Sequence, residues 1–293
     1  MCSTEGVMQV STAINVTFQE VLTATDLSSA STKALGYAKA IARRYHSHLL
    51  LVHVNEPPRS EAAWYDIRES QNRIGEKLQS DAATMRADGF NVEAVSAQGS
   101  AGHEIVALSK TFQSDLIVVG THGPQGMDRL LFGSTAEMVL RHADCAVMTV
   151  GPAAQQAVAG EWRPKEVVCA LSLDPRQVEA AVYGYRLATS LGANYTVFHL
   201  EDPWQPDNEG AWREVQSIID RSLPEEEARK PLIRSYFLSD SVPADIVTAA
   251  SNLKADLLVL AAAPMPIGTT HFFQGIVPHV ISTASCPVLT IHG

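Results

Sequence analysis

The sequence predicts an α/β protein of two tandem domains, each a doubly wound, five-stranded parallel sheet. The first observation is an internal repeat. The segment EVLTATDLSSASTKALGYAKAIARRYHSHLLLVHV, which starts at Glu20, returns from Glu166 as EVVCALSLDPRQVEAAVYGYRLATSLGANYTVFHL. The second is that short β-branched or leucine-rich runs alternate with helical stretches in each copy, which is typical of βαβ units. Copies this long indicate a duplicated, Rossmann-like domain rather than a solenoid.

The elements of the first copy follow from its apolar runs and the intervals between them. Strands are predicted where EVLTAT, HLLLVHV, NVEAVSA, DLIVVG and CAVMTV stand, over 20–25, 48–54, 91–97, 115–120 and 145–150. Helices are predicted over 31–45, 61–88, 102–112 and 134–142, and the second copy follows the same order. The segment GPAAQQAVAGEWRP, 151–164, is the predicted linker, so the expected domains are 16–152 and 165–293.

Composition excludes several classes of protein. The 293 residues are 46% hydrophobic and 18% charged, enough for a sizeable core, and the formal net charge of −10 opposes binding to nucleic acid or to an anionic membrane. No apolar run approaches the roughly 18 residues of a membrane span, and the N-terminus lacks the pattern of a signal peptide. Four cysteines without a Cys-x-x-Cys pair predict reduced thiols rather than a zinc site. We expect a cytoplasmic protein with a small-molecule or protein partner.

A glycine-rich loop joins the fourth strand to the next helix, in the stretch VVGTHGPQGMDRLLFGSTAEMVL. It matches neither the P-loop nor the dinucleotide fingerprint. Ser134 or Thr135 is the predicted N-cap of the helix, and Glu137 stands at the spacing of a capping box. Because a helix start offers free N–H groups and a positive dipole end, the loop suits phosphate. The alternative is a loop that only turns the chain.

The pattern Gly120-x2-Gly123-x9-Gly133-Ser134 resembles the nucleotide loop of the universal stress protein family, in its ATP-binding branch. The resemblance covers nearly all of both copies and implies a tandem member with strand order 3-2-1-4-5. It implies ATP as the ligand, with Mg²⁺ as a candidate companion. It also implies that strands one and four are neighbours, so that their ends face each other.

The same resemblance assigns the site residues. Asp26 matches the aspartate that contacts the adenosine end, where a carboxylate can accept hydrogen bonds from an amino group or a ribose hydroxyl. Val54 matches the position whose backbone contacts the base. The other expected site residues are Ala24 and Thr25 in the same pocket, Gly120, Thr121, His122 and Gly123 beneath the ribose and phosphates, and Gly133, Ser134 and Thr135 at the phosphate tail. The alternatives are a turn or cap role for Asp26 and a solvated His122.

The second copy lacks this signature. Asp26 becomes Ser172, and the loop positions become Ala261, Pro264 and the pair Gln274-Gly275. Proline also removes an N–H where the backbone should approach phosphate. We therefore expect one nucleotide per chain, unless Asp174, Gly268 or Gly275 rebuilds a pocket. His53 and His199 are equivalent in the repeat, which predicts a shared structural role.

The final strands, AVMTV and PVLTI, are apolar but fall at a sheet edge, which needs cover. The resemblance implies that they pair between the domains in a pseudo-two-fold unit, which associates again as a homodimer. The alternative is cover by a linker or helix.

The resulting hypothesis is an ATP-binding regulatory protein of the stress response that acts on an unknown protein partner. Slow ATP hydrolysis or phosphotransfer is the enzymatic alternative, although we identify no general base and no catalytic residue. Asp128 and Arg129 lie in the loop and could move inward. The third alternative is an interaction protein whose pocket is idle.

Overall fold

The computed structural model describes residues 16–57, 64–121, 133–157, 161–172, 177–201, 208–222, 232–237, 239, 241–262 and 271–292. The first half contains β1 (Glu20–Ala24), α1 (Ser29–Tyr45), β2 (His48–Asn55), α2 (Trp64–Ala87), β3 (Asn91–Gln98), α3 (Ala101–Thr111), β4 (Leu116–Gly120), α4 (Ser134–His142) and β5 (Ala146–Val150). The second half contains β6 (Glu166–Ala170), α5 (Val178–Leu191), β7 (Asn194–Glu201), α6 (Asn208–Ser222), β8 (Leu232–Phe237), α7 (Val242–Asn252), β9 (Leu257–Ala262), α8 (His271–Thr283) and β10 (Val288–His292).

All ten strands form one sheet, in the order β3-β2-β1-β4-β5-β10-β9-β6-β7-β8. Neighbours within each half are parallel, so each half has the order 3-2-1-4-5 that the sequence resemblance implied. The halves meet where β10 pairs antiparallel with β5, with Leu289 opposite Met148. The expected pairing of the final strands is confirmed, and each strand covers the other's edge.

The core forms two layers, one on each face of the sheet. Alternation along β2 shows the division, since Leu49 and Leu51 belong to one cluster and Leu50 and Val52 to the other. The first cluster includes side chains of α1, α2, α5 and α6, and the second includes side chains of α3, α4, α7 and α8. Each cluster contains residues of both halves, so each core layer is continuous across the junction of the halves.

A half-buried carboxylate fixes the amino end of the central strands in each half. Asp115 Oδ2 accepts hydrogen bonds from the backbone N–H groups of Gln19 (2.6 Å) and Glu20 (3.3 Å). Asp256 Oδ2 accepts the equivalent bonds in the second half, at 2.7 and 3.1 Å. Burial raises the pKa of Asp115 above its usual range. These contacts tie the first strand of each half to its fourth at the end opposite the candidate site.

The segment after β5 lies against α1. Lys33 Nζ donates to the carbonyl groups of Pro152 (3.0 Å) and Ala154 (2.8 Å), and the Tyr37 hydroxyl donates to the Gln155 carbonyl (2.6 Å). The start of the predicted linker is therefore attached to the helix that begins at the candidate site.

Within the described residues, no helix has both the length and the apolar character needed to cross a membrane.

The junction of the halves provides a test of stability. A β-carbon at Gly151 would lie 2.0 Å from the Ile281 carbonyl oxygen, closer than any real contact. We expect Gly151→Ala to lower the free energy of unfolding by about 1–3 kcal/mol, as overpacking does. The matched control is Gly75→Ala in α2, where a β-carbon would meet nothing within 4 Å. That change should stabilise the helix by about 0.5–1 kcal/mol. Urea unfolding measures both, and equal midpoints would contradict the close approach at Gly151.

Candidate functional site

The candidate site lies at the carboxyl end of β1 and β4, which are adjacent strands with Thr23 opposite Val118. The helix after β1, α1, packs on one face of the sheet, and the helix after β4, α4, packs on the other. Such a point of diverging connections leaves a crevice at the carboxyl edge of a parallel sheet, where α/β proteins bind ligands. Residues 24–26 and residues 120–121 therefore stand at one crevice.

Thr25 fixes the chain as it leaves β1. Its backbone N–H donates to the Val52 carbonyl (2.8 Å), and its Oγ1 accepts from the N–H of Leu27 (3.1 Å). His53 Nδ1 lies 2.8 Å from the Thr25 carbonyl oxygen. Since a carbonyl only accepts, this ring nitrogen carries the proton. The bend places Leu27 at φ 62°, a left-handed conformation that costs about 1–2 kcal/mol, and this residue is 39% exposed.

Asp26 is exposed, and its Oδ1 accepts a hydrogen bond from the backbone N–H of Ser28 (3.0 Å). Ser28 is the N-cap of α1, and its Oγ accepts from the N–H of Ser31 (3.2 Å). The turn role considered for Asp26 is thus present. Because an ionised carboxylate has about four acceptor positions, one turn bond leaves capacity for a ligand.

A cluster of hydroxyl groups lies at the start of α1, next to Asp26. Thr25 Oγ1 and Ser31 Oγ are 3.2 Å apart, and Ser31 Oγ donates to the Ser28 carbonyl (3.1 Å). Thr25 and Ser31 are buried, and the first turn of α1 contains no acidic residue. The floor of the crevice is therefore polar and lies at the positive end of a helix. Sequence reasoning missed this cluster, although the polar run DLSSAS directly after a strand was the available signal.

Two of the loop glycines are required by the protein's own backbone. A β-carbon at Gly120 would lie 2.7 Å from the carbonyl group of Ala30 in α1. A β-carbon at Gly133 would lie 2.6 Å from the Thr121 carbonyl oxygen, which accepts a hydrogen bond from the Gly133 N–H (3.0 Å). The two ends of the glycine loop are thus joined. Close packing explains these glycines before any ligand is considered.

The predicted N-cap of α4 is wrong. Gly133, not Ser134 or Thr135, is the N-cap, with extended backbone, and its carbonyl accepts from the Glu137 N–H (2.9 Å). The capping box is also wrong, because Glu137 Oε1 accepts from Arg141 Nη2 (2.8 Å) one turn later. Glycine has no side chain with which to cap the first turn, so its N–H groups suit an external acceptor. Ser134 is exposed and Thr135 half-buried at this helix start.

The described site residues fall into two groups. One group consists of Ala24, which ends β1, with Thr25 and Asp26 directly after it. The other consists of Gly120, which ends β4, with Thr121 directly after it and the adjoining helix start at 133–135. Val54 is half-buried one strand further out, on β2, opposite Ala97. His122, Gly123, Asp128 and Arg129 lie outside the described residues. No metal-binding cluster of three or more His, Cys, Asp or Glu residues occurs in the part of the chain that the structure describes.

The second half differs at both helix starts of the equivalent crevice. Helix α5 begins at Val178, three residues later in the repeat than α1, and α8 begins at His271, four residues earlier than α4. Gly275 consequently lies inside α8, so its suggested role in a rebuilt loop is wrong. Asp174 and Gly268 lie outside the described residues. Ser172, the counterpart of Asp26, bonds through its Oγ to Gln177 Oε1 (2.7 Å).

The repeat-equivalent histidines are both buried but have different partners. His53 holds the Thr25 carbonyl, as described above, whereas His199 Nε2 lies 3.2 Å from Ser235 Oγ. The His199 ring also lies against Trp212, with the ring centroids 4.2 Å apart. The two histidines therefore share a buried position, but only His53 bonds to the backbone at the end of the first strand. In the first half the histidine positions the candidate site.

Comparisons with known proteins agree with this fold. A family model described as the universal stress protein family matches residues 17–151. Universal stress protein A homolog 1 of Coxiella burnetii is 31% identical over 140 residues, which cover 45% of this chain and 96% of that protein. A universal stress protein of Methanocaldococcus jannaschii is 28% identical over 139 residues, which cover 45% of this chain and 82% of that protein.

A solved structure matches both halves together. The universal stress protein from Archaeoglobus fulgidus aligns with a TM-score of 0.72 at 18% identity, covering 93% of this chain and 98% of that chain. At this identity the likeness shows the fold alone. The ten-stranded arrangement of two joined halves therefore has a counterpart among solved structures.

The contact at Gly120 generates a second test. We expect Gly120→Ala to lower the free energy of unfolding by about 1–3 kcal/mol, since its β-carbon would press on the backbone of Ala30. Ala261→Gly is the reverse change at the equivalent strand end and should cost about 0.5–1 kcal/mol. Thermal unfolding without added ligand measures both. A Gly120→Ala protein as stable as the parent would show that α1 does not approach β4 this closely.

Proposed function

Because the chain belongs to the universal stress protein family, we propose that it binds an adenine nucleotide, ATP, in its first half as part of a stress response. The observation that carries this proposal is the crevice between β1 and β4, where Asp26 and the joined ends of the glycine loop share one strand edge. The proposed nucleotide-binding domain is 16–152. The proposed second domain, 165–293, has a degenerate motif.

Each group at the crevice has a role in this proposal. Asp26 accepts hydrogen bonds from the adenosine end, and Val54 contacts the base through its backbone. The uncapped start of α4, with Ser134 and Thr135, donates to the phosphates, because helix N-termini favour anions. Mg²⁺, where present, would be held mainly by phosphate oxygens and water. His122 and Gly123 complete the proposed loop.

The regulatory part of the proposal concerns how a partner recognises whether nucleotide is bound. Helix α1 begins at the crevice, directly after its N-cap Ser28. About one turn later, Lys33 bonds to the chain between the halves. A nucleotide at the start of α1 would therefore lie close to the junction of the halves. We propose a cytoplasmic protein whose nucleotide state is recognised by a protein partner, and which associates as a homodimer.

Asp26 provides the test of adenosine recognition. Asp26→Ala should weaken ATP binding at least tenfold, about 1.4 kcal/mol, because it removes the acceptor at the adenosine end. Inorganic triphosphate, which has no adenosine, should bind within about twofold of the parent. Isothermal titration measures both affinities.

Two further variants separate recognition from the local turn. Asp26→Asn can keep the bond to the Ser28 N–H while losing the charge, so it should retain the stability of the parent and part of its ATP affinity. Ser172→Ala changes the equivalent position of the second half and should leave ATP affinity unchanged. Equal losses for ATP and inorganic triphosphate in Asp26→Ala would show that Asp26 does not read the adenosine end.

The differences between the halves predict an asymmetric stoichiometry. Fold alone would give two sites, whereas the remodelled helix starts of the second half leave one. Titration of the nucleotide-stripped chain with ATP should give about one site per chain. Two sites of similar affinity would overturn this prediction.

A further inference from the structure

The two halves have different side chains at one equivalent position near the start of their first helix. In the first half this position is Ser31, whose Oγ stays within the hydroxyl cluster, 3.2 Å from Thr25 Oγ1. In the second half it is Gln177, which is 9% exposed. Gln177 Oε1 accepts hydrogen bonds from the backbone N–H of Ser172 (3.4 Å) and from its Oγ (2.7 Å). A helix side chain thus folds back over the end of β6.

The residue that Gln177 reaches is the counterpart of Asp26. Both follow the first strand of their half by two positions, at the same repeat spacing. Ser31 is two atoms shorter than glutamine, and its Oγ donates to the Ser28 carbonyl instead. The strand end that Gln177 covers in the second half is therefore not covered by the equivalent side chain in the first.

The first helix of each half also begins differently. Ser28 caps α1 through its side chain, whereas Gln177 is the N-cap of α5 without a side-chain cap bond. A missing cap costs about 0.5–2 kcal/mol of helix stability. The carboxamide that would compensate is directed to Ser172 instead. The Gln177 carboxamide therefore bonds to the strand end and does not cap its own helix.

We infer that Gln177 is an internal plug over the strand end of the second half, and that a small residue at position 31 keeps the equivalent strand end of the first half open to nucleotide. This inference rests on the proposed function. A carboxamide has an acceptor oxygen and a donor NH₂, as the adenine edge has an acceptor ring nitrogen and a donor amino group. Gln177 Oε1 accepts from Ser172, whereas Asp26 would accept from the nucleotide, so Gln177 occupies the equivalent strand end without reproducing the nucleotide's hydrogen bonds.

Transfer of the plug to the first half tests this assignment. Ser31→Gln should weaken ATP binding at least tenfold in isothermal titration of the full chain. The matched control is Thr32→Gln, which introduces the same side chain at the adjacent exposed residue and should stay within twofold of the parent. If Ser31→Gln does not fold, the reverse change in the second half, Gln177→Ser, tests the assignment through the exchange of the Ser172 amide. Unchanged ATP affinity in Ser31→Gln, relative to Thr32→Gln, would overturn the plug.

Hydrogen exchange of single amides provides a readout that does not depend on ATP. The Ser172 amide should be protected in the parent chain and should exchange at least tenfold faster in Gln177→Ser. The amide of residue 26 should gain protection in Ser31→Gln without nucleotide. If the parent fails to bind ATP, the proposed function fails, while the Ser172 exchange rate still decides the plug. Ser172 protection that survives in Gln177→Ser would overturn it.

Discussion

The antiparallel pairing of β5 with β10 is the contact on which the rest of the structure depends. All five residues of β5 are buried, and each half without the other would present an apolar strand as an open edge. The pairing also joins the two core layers across the halves. The second half is therefore needed to cover the first, whether or not it binds a ligand. This structural need accounts for a second half that keeps the strand order and the core while its crevice changes.

Topology provides two equivalent crevices, but the helix starts make them different. In each half the first and fourth strands are neighbours and their helices lie on opposite faces, so both halves have a switch point. Helix α1 begins one residue after its side-chain cap at Ser28. Helix α5 begins three residues later in the repeat, and α8 extends four residues further into the region equivalent to the loop. The fold repeats, whereas the site does not.

Much of the fold could be predicted because apolar runs and βαβ alternation are local patterns. The predicted elements of the first half agree with the structure within three residues, as for the second helix, predicted from 61 and described from Trp64. The contact of Asp115 with the start of β1 could not be predicted. It joins residues about 95 positions apart, and no local pattern of charge or spacing indicates it.

The errors at the site have physical causes. The capping-box spacing of Ser134 and Glu137 was present, but Arg141 stands one helical turn after Glu137 and takes its carboxylate. The left-handed Leu27 and the bond from His53 to the Thr25 carbonyl arise from the bend at the end of β1. Such a bend depends on tertiary contacts that a sequence pattern does not contain. The family resemblance named residues at the ends of β1 and β4 but not the contacts that hold these strand ends in place.

The two halves differ both at the end of their fourth strand and at the start of their first helix. Gly120 allows the Ala30 carbonyl to approach the end of β4, and this approach brings the start of α1, with its positive dipole end, to the crevice. The second half has Ala261 at the equivalent strand end, and its helix begins three residues later. A β-carbon there is compatible with a helix that starts further on. That shift makes Gln177 the first residue of the new start, within reach of Ser172. The residue at the end of the fourth strand and the residue at the start of the first helix therefore differ together between the halves.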